Sequence, residues 1–201
     1  ETYAFMIILS PVGPYFSNPL KIYVEEQFVR AAPGGVGYAK TAGNYAASLY
    51  PAKLAREKGF DQILWMDANE HKYVQECGAM NVFFVLDGKL ITPGLEAGTI
   101  LDGITRKSIV QLAKSLGKTV EEREISIDEL VEGYKKGLLT EAFGAGTAVV
   151  VSKIAELKYK ETTIQLDASK MPIADELKKT MAEIRSGNRA DTFGWMVKSN
   201  S

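Results

Sequence analysis

Lys40 sits in the run GGVGYAKTAGNY, residues 34–45, with glycines before it and a Gly-Asn-Tyr after it. Glycine lets a chain take positive φ and approach another group closely, at an entropic cost, so such a stretch adds little stability. A lysine flanked by Ala39, Thr41, Ala42 and Gly43 that becomes partly desolvated has a lowered pKa and a nucleophilic amine. Amines of that kind form Schiff bases with aldehydes. Taken alone, the stretch reads more simply as a solvated surface lysine.

Two further stretches could hold an anion. LDGITR, residues 101–106, places Gly103 just before a helical pattern, where the N–H groups near Ile104 and Thr105 lack helical partners. FGAGT, residues 143–147, offers a second nest of amides and the hydroxyl of Thr147. Each alone is equally an ordinary helix entry or turn. Glu76 is a carboxylate within YVQECGAMNVFF, where flanking strand residues are expected to be buried. An amine, a phosphate cradle and an acid to pair with a ring nitrogen are together what pyridoxal phosphate requires.

The elements that must carry these groups are legible from their patterns. Residues 3–9 (YAFMIIL) predict a buried strand ended by Pro11, Gly13 and Pro14, and residues 21–31 a second strand. The stretch YAASLYPAKLAREKG predicts a helix closed by Gly59, with Pro51 as a kink. Residues 62–67 predict a short strand, and residues 73–93 a strand, a Gly turn, a strand, an Asp87-Gly88 hairpin and a return strand. GITRKSIVQLAKSLG predicts the clearest helix, with Ile109, Leu112, Ala113 and Leu116 on one face and Gly117 as its stop. A strand at TVEEREIS, a helix at SIDELVEGYKKG capped by Ser126 or Asp128, a strand after FGAGT, and a last helix at MPIADELKKTMAEIRSG complete the pattern. Strands and helices mix without strict alternation, which predicts a mixed α/β or α+β domain.

Composition sets bounds. The 201 residues are 46% hydrophobic, enough for a real core. A net charge of -1 and a pI near 6.0 give no electrostatic case for nucleic acid or an anionic membrane as partner. The apolar runs are too short to span a bilayer, and no signal peptide is visible. The single cysteine, Cys77, excludes an internal disulfide and fits a reducing, cytoplasmic setting. No metal-ligand pattern is present. His71 in the polar NEHK stretch is expected to be solvated, and KTVEERE an exposed strand face.

The run ECGAMNVFFVLDGKLITPGLEAGTILDGITR, from Glu76 to Arg106, resembles the signature of the class IV pyridoxal-phosphate aminotransferases. Glu76, Asn81, Val82, Phe83, Leu90, Thr92, Leu101, Gly103, Ile104 and Arg106 fall at its spacing. FMIILSPVGPYF, RAAPGGVGYAKTAGNYAASL, QILWMD and FGAGTAVVVSKI resemble the branched-chain amino-acid aminotransferases within that class. The resemblance implies the large-domain fold of the class, a mixed-sheet pseudo-barrel with surrounding helices. It implies exchange of an amino group between Leu, Ile or Val and 2-oxoglutarate, and a homodimer when full length. Lys40 matches the lysine that holds the cofactor as an internal aldimine and moves the proton. Glu76 matches the acid on the pyridine nitrogen, Tyr45 the residue bonded to the phenolic oxygen, and Arg30 an arginine close to the cofactor. Ile104 and Thr105 through their amides, and Thr147 through its hydroxyl, match the phosphate contacts. Ala79 and Ala148 match the turns that receive the substrate carboxylate.

Two departures from the family follow. Its smaller N-terminal domain, with a further phosphate-binding arginine, has no counterpart here, so residues 1–201 are expected to be the cofactor-bearing large domain only, folded but of low activity. The Cys-x-x-Cys pair that some animal members carry after GTA is replaced by VVVS. A lyase of the same scaffold, such as aminodeoxychorismate lyase, and a non-catalytic module are the competing readings. The GGVG and GNY context favours the aminotransferase.

Overall fold

The computed structural model describes residues 2–8, 10–11 and 16–197. The elements run β1 (Leu20–Val24), α1 (Ala42–Ala46), α2 (Leu49–Glu57), β2 (Gln62–Met66), β3 (Val74–Cys77), β4 (Asn81–Leu86) and β5 (Lys89–Thr92). They continue with α3 (Ile104–Ser115), β6 (Val120–Glu122), α4 (Ile127–Lys135), β7 (Leu139–Gly146), β8 (Val150–Tyr159), β9 (Thr162–Gln165) and α5 (Pro172–Arg185). A mixed sheet in the order β3-β2-β1-β8-β7-β4-β5-β6 ties them together, with β9 paired to β8. The first part of β8 pairs antiparallel with β7, and the remainder lies parallel to β1. β3 and β4, far apart in that order, are joined by a two-residue turn closed by the Cys77–Met80 bridge. The intervening strands must therefore curl round, which gives the mixed α/β half-barrel.

The core fills this curl and the face under the helices. β4 is buried along its whole length, and Phe83 stacks on Phe143 of β7 with ring centroids 5.2 Å apart. α3, α4 and α5 pack on the β7–β8 side, while Ala55 of α2 packs against Ile63 and Trp65 of β2. Asp87 and Gly88 turn the β4–β5 hairpin with φ of 50° and 72°, the left-handed pair that a two-residue hairpin requires. Ser126 caps α4 by accepting the Glu129 N–H, which settles that choice in favour of Ser126 over Asp128.

Four expectations are corrected. Residues 3–8 form no strand: the sheet pairs no strand with them, and Tyr3, Phe5, Met6, Ile7 and Ile8 are all exposed. Leu9, Gly13 and Pro14 lie outside the described residues. The second strand ends at Val24, not 31, since the buried Glu25 carboxylate accepts the N–H groups of Glu26, Gln27 and Phe28 and folds the chain into a turn. Pro51 does not kink a single helix. It lies in the first turn of α2, where no N–H is needed, and the break falls before it, between α1 and α2. His71 is half-buried with φ of 49°, so it is not the freely solvated side chain expected. Cys77 is fully buried in the core.

Candidate active site

Lys40 precedes α1 on a loop whose shape is fixed by Asn44. The buried Asn44 amide donates to the carbonyls of Val36 at 2.9 Å and Ala39 at 2.7 Å. Gly37 is required there: a Cβ would lie 2.5 Å from both Ala31 Cβ and the Thr99 carbonyl. Lys40 itself is exposed, so its small neighbours do not by themselves desolvate it. Its Nζ lies 5.5 Å from the centre of the Tyr45 ring, within reach of a cation–π contact.

Lys40 and Tyr45 open onto a cleft of about 530 Å³. Ala79 of the β3–β4 turn and Thr147 and Ala148 of the β7–β8 turn line the same cleft, with Ile63, Trp65, Met80 and Val149 as an apolar wall. Trp65 donates its indole N–H to the Gly78 carbonyl at 3.0 Å, fixing the β3–β4 turn to β2. Val150, just beyond Ala148, has φ of 57°, a strained conformation for a β-branched residue.

A recess beside the cleft is bordered by Arg30, Tyr45, Glu76, Ala79 and Leu101. Arg30 Nε lies 3.3 Å from Glu76 Oε2 with both side chains buried, facing it without hydrogen-bond alignment. The Arg30 guanidinium is anchored by the carbonyls of Gly37 and Thr99. Glu76 Oε1 accepts the Leu101 N–H at 2.8 Å and the Asn81 amide at 3.4 Å. Burial pushes the Glu76 carboxyl up to about 7, against the opposing effects of Arg30, the Leu101 N–H and Lys40. The Cys77 thiol is pushed up by burial and by Glu76.

Ile104 and Thr105 line neither hollow. They form the first turn of α3, which Gly103 enters with no side-chain cap and no acidic residue in that turn, while the preceding Asp102 is paired to Lys107 at 2.6 Å. An uncapped first turn of a 12-residue helix leaves N–H groups free for an anion. Leu101, bonded to Glu76, joins that turn to the recess. Two other residues of the signature stretch hold the frame: Thr92 donates to the Val82 carbonyl, and buried Arg106 binds the Pro93 carbonyl and Glu122. Sequence reasoning gave Asn44 and Asn81 no positioning role. The first was visible only as part of Gly-Asn-Tyr, because its partners are backbone carbonyls.

The family model for amino-transferase class IV matches residues 1–157. The chain belongs to the class IV aminotransferases. Among members of this class it is 52% identical over 200 residues to a probable branched-chain-amino-acid aminotransferase of Staphylococcus aureus, covering 97% of this chain and 56% of that protein. It is 50% identical over 202 residues to branched-chain-amino-acid aminotransferase 2 of Bacillus subtilis, with 98% and 55% covered. The fold is similar to the branched-chain amino acid aminotransferase of Thermobaculum terrenum in its PLP form, with a TM-score of 0.72 and 30% identity over 86% of this chain and 52% of that one. The chain thus spans about half the length of the relatives it matches. Among the described residues, no helix of this class IV chain is long and apolar enough to cross a membrane.

Proposed function

We propose that residues 1–201 form the cofactor-bearing domain of a branched-chain amino-acid transaminase, which exchanges an amino group between Leu, Ile or Val and 2-oxoglutarate with pyridoxal phosphate. The reading is carried by one observation: Lys40, Tyr45, Ala79, Thr147 and Ala148 share a cleft whose adjoining recess holds a buried carboxylate, Glu76. The buried acid suits the group. A carboxyl raised to about 7 lacks a sufficient counter-charge, and a protonated pyridine nitrogen is a fitting one. The uncapped start of α3 likewise suits a phosphate.

Bound there, pyridoxal phosphate supplies an aldehyde carbon for the amino group and a ring that takes up the electron pair released at the substrate α-carbon. Glu76 Oε2, whose neighbour is Arg30 Nε, has acceptor capacity left for the ring nitrogen, and Arg30 favours its charged form. The Tyr45 hydroxyl orients the ring at its phenolic oxygen. The amides of Ile104 and Thr105 and the Thr147 hydroxyl hold the phosphate. Lys40 Nζ attaches the group and afterwards holds and moves the α-proton. Amides at Ala79 and Ala148 receive the substrate carboxylate, and the wall of Ile63, Trp65, Met80 and Val149 suits a branched aliphatic side chain. We infer a homodimer, in which exposed Val36, Tyr38, Leu49 and Tyr50 around the Lys40 loop become covered.

Glutamate formation from leucine and 2-oxoglutarate tests the reading. Activity that requires added pyridoxal phosphate and disappears in Lys40→Ala supports it. Turnover that persists in Lys40→Ala contradicts it.

A further inference from the structure

Asn81, the first residue of β4, is 6% exposed, so its amide must find partners inside the protein. Those partners belong to both ends of the site. Nδ2 donates to the Leu101 carbonyl at 2.9 Å and, at 3.4 Å, to Glu76 Oε1. Leu101 returns its own N–H to the same carboxylate oxygen at 2.8 Å. Its carbonyl also accepts the N–H of Gly103, the residue that enters α3. On the other side of the amide the fit is equally close: a Cβ on Gly103 would lie 2.3 Å from Asn81 Oδ1. One side chain therefore touches the carboxylate, the strand of backbone leading to the helix, and the helix entry itself.

The chemistry explains why an amide stands here. Glu76 Oε1 is occupied by two donors, which leaves Oε2, 3.3 Å from Arg30 Nε, as the oxygen with capacity to spare. Aspartate at the same position could not donate to the Leu101 carbonyl and would repel Glu76. Alanine would leave both acceptors short of a donor in a buried place. A pyridine nitrogen and a phosphate lie at opposite ends of one stiff molecule, so both contacts form together only if their protein partners are held at a set separation.

We propose that Asn81 is a positioning residue that sets the spacing between Glu76 and the amides at the start of α3, so that one cofactor satisfies both at once. The proposal rests on the pyridoxal-phosphate reading of the site. Its signature is a loss of cooperation between the two ends, and affinity for pyridoxal phosphate and for pyridoxal, which lacks the phosphate, reads that directly. In the wild-type protein the phosphate strengthens binding. In Asn81→Ala the ratio of the two dissociation constants should shrink by about tenfold, the worth of one hydrogen bond to a charged group.

Asn81→Asp keeps the shape without the donor, and Gly103→Ala presses on the bracket from its other side. Both should shrink the ratio in the same sense, and either serves if Asn81→Ala does not fold. The melting temperature of each cofactor-free form reports the fold separately. A residue that only supports the fold would weaken both ligands equally and leave the ratio unchanged, which overturns the proposal. A wild-type protein that binds neither ligand overturns the pyridoxal-phosphate reading and this inference with it, whereas wild-type binding with an unchanged ratio in the variants removes the inference alone.

Discussion

Arg30 and Glu76 face each other across 3.3 Å in a buried recess, yet the carboxyl remains raised to about 7 from an ordinary 4.5. Desolvation outweighs the arginine. Between those two values the folded cofactor-free chain holds a proton that the unfolded chain has released. The stability contributed by protonated Glu76 is therefore complete below about 4.5 and is lost as pH rises through about 7. Glu76→Gln should remove this decline, read as a flatter dependence of urea midpoint on pH from 5 to 8 than in the wild type. An unchanged slope in the variant would assign the decline to another group.

Glu141 tests a different part of the frame. Its carboxylate, near the start of β7, accepts the N–H groups of Ile173 at 3.0 Å and Ala174 at 2.9 Å and so caps α5 from another element. Glu141→Ala leaves these donors unpaired and should cost about 1–3 kcal/mol of stability. Glu141→Gln, which keeps one acceptor, should recover a good part of it. Equal stability of all three proteins in chemical denaturation would show that the cap contributes nothing.

What the sequence reveals depends on whether a segment's partners are near or far. α3, α4, α5 and the β4–β5 hairpin follow from periodicity, Ser126, Gly117 and Asp87-Gly88, all of which act within a few residues. The apolar run at residues 3–8 has equally strong strand composition, but a strand forms only where another strand pairs with it, and the sheet pairs none with this run. Glu25 ended a strand through hydrogen bonds that no alternation pattern encodes. At the site, the resemblance singled out Lys40, Tyr45 and Glu76. It left open how Glu76 is tied to α3, because the link runs through Leu101 and Asn81 across 25 and 5 residues.

The Lys40 loop makes a sharp prediction of its own. Gly37→Ala forces a Cβ against backbone and against Ala31, where neither neighbour can rotate away. Overpacking of that kind costs about 1–3 kcal/mol, and here it falls on the loop that presents Lys40. Cofactor loading, read by the absorbance of the bound group, should drop more than the melting temperature of the cofactor-free protein. Normal loading in this variant would mean that the loop tolerates displacement.

Lys40 is proposed as the residue that binds the cofactor covalently. Borohydride reduction of the protein loaded with pyridoxal phosphate, followed by peptide mapping, tests it most directly. A pyridoxyl group is expected on the peptide containing Lys40, and none on the corresponding peptide of Lys40→Ala. A pyridoxyl group on Lys53 or any other lysine, with Lys40 unmodified, would contradict it.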